Sequence, residues 1–296
     1  VAEAEDEVRR FLASCGLNEA ITYAFIRADL NASFTDEEPV RITNSLSENT
    51  AVMRLSLLPG LLESVAFNRS YGSRDGGLFE VGRTYHRSAD GVVERSRAAF
   101  VLFGATAAHW GDPRRPLDFF DAKGIIERLA SRFHVELEFA RCDRSWLRSG
   151  KRAVARDRNG AVATLGVVAP EILQRFDIKG EVVAAELELG PLIAEEKEWT
   201  MAPVARFPGV PMILAVMHAH DLEYQRIVEA IWKFDVPFLH EVGLRDRYAA
   251  PGETSVKTTL GMWYQAFDRS LTQQEVSDVH RRLAARLSSA LPLKVL

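Results

Sequence analysis

The stretch MRLSLLPGLLESVAFNRSYGSRDGGLFEVGRTY, Met53 to Tyr85, runs an arginine into an apolar helix, a polar loop and a strand. Ser56 suits the helix N-cap, and Pro59 falls in the first turn, where a missing N–H costs little. Leu57, Leu58, Leu61, Leu62, Val65 and Ala66 form one wide apolar stripe at helical spacing. The glycines of SYGSRDGG, 70–77, break the helix, and LFEVGRTY, 78–85, reads as a strand. The question is whether Arg54 handles a nucleotide phosphate or belongs to a scaffold with the shape of an active site and none of its chemistry.

On the N-terminal side, residues 6–15 read as a helix with Val8, Phe11, Leu12 and Cys15 inward and Gly16 as its left-handed cap. EAITYAFI, 19–26, is strand-like, and Val40 to Thr43 reads as a short strand. On the C-terminal side, RAAFVLFGA, 97–105, is a strand. DFFDAKGIIERLASRF, 118–133, is a helix capped by Asp118 with Asp121 in its first turn. Strands at 135–140, 152–157, 161–168 and 182–189 and a short helix at 169–178 complete an antiparallel-looking sheet with a few helices, not a βαβ series.

The Pro-rich, charged stretch around 190–210 places a domain boundary at Glu198–Pro203, giving domains 1–198 and 203–296. Beyond it the order is strand 212–218, a helix from an Asp221 cap to Lys233 with Tyr224, Ile227, Val228 and Ile231 inward, and one or two strands over 238–249. An alternating strand at 257–267, a helix opened by the capping box TQQE, 272–275, and a last strand at 291–296 follow. That βαββαβ order is ferredoxin-like, so the fold class is α+β.

The 296 residues carry 47% apolar and 26% charged side chains, an ordinary globular composition. No apolar run is long enough to span a membrane. Cys15 and Cys142 form neither a CxxC pair nor a disulfide framework, so a reducing cytoplasm is expected. The net charge is −4, and residues 203–296 hold 11 Lys+Arg against 10 Asp+Glu. RNA contact there would need a local patch or stacking rather than a bulk field.

NSLSENTAVMRLSLLPGLLESVAFN (44–68), LFEVGRTY (78–85) and DFFDAKGIIERL (118–129) resemble the catalytic-like domain in the β subunit of bacterial phenylalanyl-tRNA synthetase. FPGV (207–210) and FDRSLTQQEVSDVHRRL (267–283) resemble the anticodon-binding domain that ends the same subunit. The resemblance covers nearly the whole chain, in order. It implies a class II synthetase-like antiparallel domain that is catalytically silent, followed by a ferredoxin-like anticodon-binding domain. It implies an α subunit that carries ATP, magnesium and the chemistry in an (αβ)₂ assembly, and contact with the anticodon stem of tRNA(Phe). The family's β subunit is far longer, so the chain resembles its C-terminal part. The family usually has an arginine–aspartate step after its Phe-Pro pair; here Pro211 and Met212 stand in those places, and Arg206 is a possible substitute.

A class II site clamps the adenylate's phosphates with two cations and usually magnesium, and delivers the second arginine from a glycine-lined junction. None of the 19 glycines forms a Gly-x-Gly pair, and no P-loop occurs. Arg54 is therefore read as structural or interfacial, and with Leu57 and Leu61 as a subunit-interface candidate. Asp118 and Asp121 read as capping residues before an acid/base pair. His218 and His220 read as a solvated strand end before a metal site, and His280 as a helix-surface residue. For RNA the candidates are Arg206, Arg245, Arg247, Trp263 and Arg269, with Tyr248, Tyr264 and Phe267 nearby; Tyr264 fits a core position and Trp263 the opposite, open face. No catalytic residue, metal or cofactor is assigned to this chain. The alternatives are a stand-alone RNA-binding or regulatory protein and a divergent ATP-dependent ligase.

Overall fold

The structure is a computed structural model that describes residues 2–45, 47–193, 204–250 and 252–296. It divides into two compact units, Val1–Glu198 and Trp199–Leu296. The expected boundary segment, Glu198–Pro203, lies outside the described residues.

In the first unit the chain runs through α1 (Ala2–Ser14), β1 (Asn18–Glu19), β2 (Phe25–Ile26), α2 (Ala28–Asn31), a 3₁₀ turn at Glu48–Thr50, β3 (Val52–Met53) and α3 (Leu58–Ser70). It continues through β4 (Gly76–Ser88), β5 (Gly91–Phe103), α4 (Phe119–Arg132), β6 (Glu138–Ala140), β7 (Leu147–Asp157), β8 (Gly160–Val168), α5 (Pro170–Arg175), β9 (Val182–Glu188) and α6 (Leu189–Ile193). A seven-stranded sheet has the order β1-β4-β5-β9-β8-β7-β6, antiparallel except for the short β1–β4 pair.

Both faces of this sheet are covered, which is why its central strands read as largely apolar runs rather than alternating ones. Ala98, Phe100 and Leu102 of β5 face one core with α1 and α4, while Ala99, Val101 and Phe103 face the other with α3. The α4 capping box forms as expected: Asp118 Oδ1 accepts from the amides of Phe120 (2.8 Å) and Asp121 (3.3 Å), and Asp121 Oδ2 accepts from Asp118 N (2.8 Å). Gly16 has φ +84°, as a left-handed cap requires.

Two expected strands are shorter or missing. Between β1 and β2, residues 20–24 join no sheet and bend at Ala24, and around Val40–Thr43 only an isolated Arg41–Val52 bridge forms. α3 starts at Leu58, with Ser56 Oγ accepting from Leu58 N at 3.1 Å.

In the second unit β10 (Val210–Ala219), α7 (Tyr224–Lys233), β11 (Leu239–Tyr248), β12 (Ser255–Tyr264), α8 (Gln273–Ala290) and β13 (Leu293–Val295) form a ferredoxin-like antiparallel sheet of order β11-β12-β10-β13. The helices cover one face only, so β12 alternates: Val256, Thr258, Leu260, Met262 and Tyr264 are buried, and Lys257 and Trp263 are exposed. Thr272 and Glu275 form the expected capping box of α8. Asp221 does not cap α7, whose N-cap position falls at Glu223 with no side-chain cap bond.

Candidate functional site

Arg54 is inside the first unit. Its Nη1 donates to Glu80 Oε1 at 2.7 Å and to Thr22 Oγ1 at 3.0 Å, and its Nε donates to Arg83 O at 2.8 Å. Thr22 Oγ1 donates in turn to Glu80 Oε2 at 2.6 Å. The Arg54 and Glu80 side chains are 7% and 4% exposed. Gly82 makes room for the pair: a Cβ there would lie 2.6 Å from Arg54 Nη2.

A second carboxylate repeats the arrangement two strands over, on β9. Glu186 Oε1 accepts from Ser56 Oγ (2.9 Å) and Leu57 N (2.7 Å), and Oε2 accepts from Arg97 Nη1 (2.7 Å). Arg97 Nη2 reaches Glu188 Oε1 at 3.0 Å, while its buried Nε has no partner. Glu80 and Glu186 both pair across Ala99 of β5, so the two acids stand in one row on the α3 face of the sheet. They hold residues 54–57 over the sheet from either side.

This explains why the expected interface residues are not at the surface. Leu57 and Leu61 are fully buried beneath α3, and Arg54 is 6% exposed. None of the three is available to another subunit. The α3 stripe is so wide that its own sheet consumes it.

Beside Glu186 a small cleft of about 150 Å³ is lined by Phe34, Trp146, Glu37, His86, Arg97 and Arg144, among others. Drug-sized ligands usually occupy roughly 300–1,000 Å³. His86 is engaged at both nitrogens, by Glu37 at 2.7 Å and Thr84 Oγ1 at 3.0 Å. That hydrogen bond holds the Glu37 carboxyl below the usual carboxylate range, against an opposing effect of burial. Among the described residues no group of three or more His, Cys, Asp or Glu is arranged to hold a metal ion. The same residues contain no helix long and apolar enough to cross a membrane.

In the second unit the RNA candidates separate by face. Trp263 is 37% exposed on the open side of β12, its ring laid against the backbone at Gly209. Arg245 lies over Gly261 on that same side. Arg247 pairs with buried Thr258, which puts it on the helix side. Arg269 is bonded to Glu275 at 2.8 Å and stacks on Phe238, 5.5 Å from the ring centre. Arg206 is exposed ahead of β10. The structure thus puts Trp263 and Arg245 on one face of the sheet and Arg247 on the other, while Arg269 is engaged by Glu275 and Phe238. Tyr264 is in the core, Tyr248 is exposed on β11, and Phe267 lies beyond β12 against His240.

The histidine expectations change. His218 is 3% exposed, with Nδ1–H directed to Ala219 O (2.8 Å) and Nε2 bonded to Thr258 Oγ1 (2.8 Å); it is a satisfied core histidine, not a solvated strand end. His220 falls beyond β10, in a turn. His280 is half-buried, with Nδ1 3.1 Å from Tyr264 Oη. Burial pushes the Tyr264 phenol up to about 12, so its hydroxyl keeps its proton. Burial also depresses the His280 pKa, with a backbone hydrogen bond at Ile213 acting the other way.

The unfolded chain therefore protonates His280 before the folded one does. Its contribution to stability is complete above about pH 6.5 and is lost as pH falls through the lowered folded value. Thermal unfolding of the second unit should shift downward between pH 7.5 and 5, and His280→Gln should flatten that slope.

The sequence reading did not find Glu80, Arg97 or Glu186. The available signal was an acid at an inward position of an otherwise apolar strand, in LFEVG and in VVAAELEL.

The family described as "Phenylalanyl tRNA synthetase beta chain CLM domain" matches residues 1–189, and "Ferredoxin-fold anticodon binding domain" matches residues 205–295. Among similar proteins are the phenylalanine–tRNA ligase β subunits of Geobacillus kaustophilus, 32% identical over 94% of this chain and 36% of that protein, and of Methylococcus capsulatus, 30% identical over 98% and 37%. That of Syntrophotalea carbinolica is 28% identical over 97% and 38%. This chain spans a little over a third of the length of these curated relatives. Matches over residues 1–189 and 205–295, in that order, place the chain in the phenylalanyl-tRNA synthetase β-chain family.

Proposed function

We propose that this chain is the non-catalytic portion of a phenylalanine–tRNA ligase β subunit. Its first unit docks the α subunit in an (αβ)₂ assembly, and its second unit contacts tRNA(Phe) near the anticodon stem. ATP and magnesium belong to the α subunit, which performs the aminoacylation. The observation that carries this division of labour is the pair of cations on the α3 face of the sheet. Arg54 and Arg97 are each held by protein carboxylates at 2.7 Å, so neither is free to clamp a phosphate.

For tRNA, the open sheet face supports contact through Trp263 and Arg245. An indole face stacks on an unpaired base and a guanidinium pairs with phosphate; stacking is worth about 1–3 kcal/mol per base. Titrating tRNA(Phe) into the complex with α should give about tenfold weaker binding for Trp263→Ala. Arg245→Ala should weaken binding and reduce the salt slope by about one. Arg247→Ala, on the other face, should leave both nearly unchanged. Saturating ATP and magnesium should leave the melting temperature of this chain alone unmoved. Pyrophosphate exchange by this chain without α would overturn the reading, and so would tRNA affinity indifferent to Trp263 and Arg245.

A further inference from the structure

The segment between β1 and β2 turns its side chains alternately. Thr22 points inward, bonded to Arg54 and Glu80, and a Cβ on Gly60 of α3 would lie 2.3 Å from its Oγ1. Ile21 (89% exposed), Tyr23 (84%) and Phe25 (45%) point outward. With Phe67 of α3 (63%) they line an open groove of about 750 Å³. An apolar surface of this kind marks an interaction site rather than ordinary exposure.

The charges in the groove say what must cover it. Arg27 is committed to Asp29 by two hydrogen bonds, 3.0 and 2.5 Å. Glu63, one turn before Phe67, has no hydrogen bond or ion pair among the described residues. Glu63 is exposed, yet partial burial already pushes its carboxyl above the ordinary range, with the charge of Arg27 across the groove acting the other way without forming an ion pair. A partner that seals the apolar groove removes the remaining water, and an unpaired carboxylate resists that strongly. The partner must therefore bring a cation, which the negative faces of Tyr23 and Phe67 would also attract.

We propose that this groove receives an arginine or lysine projecting from an apolar face of the α subunit. The charged head pairs with the Glu63 carboxylate and the stem lies between the Tyr23 and Phe67 rings. The inference rests on the docking half of the proposed function and names the chemistry of that contact.

The test is the affinity of this chain for its α subunit, measured by sedimentation or interferometry at two salt concentrations. Glu63→Gln should weaken the complex about tenfold and reduce its salt dependence, and Glu63→Lys should weaken it about a hundredfold or more. Tyr23→Ala and Phe67→Ala should each cost about tenfold. Glu171→Gln, on exposed α5, should cost nothing. All are surface changes, and unchanged melting temperatures establish that the variants are folded. No complex with the unaltered chain would overturn the docking reading itself. A complex that forms equally well with every Glu63 variant would leave that reading standing and overturn this inference. Self-association of the chain that Glu63→Lys abolishes would also overturn it, by assigning the groove to a second copy.

Discussion

Replacing Arg54 by methionine is expected to lower the unfolding free energy of the first unit by about 3–5 kcal/mol, the usual cost of breaking a buried ion pair from one side. Methionine fills most of the vacated volume, so the loss is not chiefly a cavity effect. What dominates is Glu80, whose side chain is 4% exposed and which would keep only the Thr22 hydroxyl as a donor among the bonds described above. The Arg83 carbonyl and the Thr22 side chain also lose a donor. The double variant Arg54→Met/Glu80→Met should recover most of this loss, because removing both charges also removes their desolvation cost. Denaturant titration followed by far-UV circular dichroism checks both. A single variant within about 1 kcal/mol of the unaltered chain would contradict the buried-pair account. Because Thr22 is part of the network, the single variant should also loosen the outward stripe Ile21–Tyr23–Phe25 and weaken docking of the α subunit.

Much of this fold could be read from the sequence because several local rules agree with the tertiary structure. The run AAFVLF is apolar throughout, and VVAAEL at every position but Glu186, because both sheet faces are covered, whereas the 257–264 strand alternates because one face is open. Asp118-x-x-Asp121 and Thr272-x-x-Glu275 marked two helix starts because a capping box needs only local geometry.

The site was less legible, since its parts meet from distant positions. A wide leucine stripe on α3 does not say whether the surplus serves another subunit or the chain's own sheet; here the sheet takes it, and Leu57 and Leu61 are fully buried. EAITYAFI has strand composition, but between β1 and β2 it joins no sheet, so its alternation points Ile21 and Tyr23 to solvent. Periodicity identified two faces and could not identify what each one met. His218 and His280 were misplaced for a related reason. Their partners, Thr258 and Tyr264, come from β12, which no local pattern predicts.

Glu186→Ala is the second large loss, expected at about 3–5 kcal/mol by the same rule for a charge pair broken from one side. The carboxylate is 12% exposed and satisfies three donors at once: the Ser56 hydroxyl, the Leu57 amide at the mouth of α3, and Arg97. Arg97 would retain Glu188 at 3.0 Å, a partner 40% exposed and therefore better screened. That residual pair makes Glu186→Ala less severe for the guanidinium than Arg54→Met is for Glu80. The loss of two α3 donors acts in the opposite direction, at about 1–3 kcal/mol for each group left buried and unsatisfied. Glu186→Gln separates the contributions. Its amide oxygen can still accept from Leu57 N, while its NH₂ faces Arg97 without a charge to offer, so about half the loss should remain. If glutamine costs as much as alanine, the charge dominates. If glutamine costs nothing, the carboxylate serves only as a cap for α3, and its charge pairing with Arg97 contributes nothing to stability.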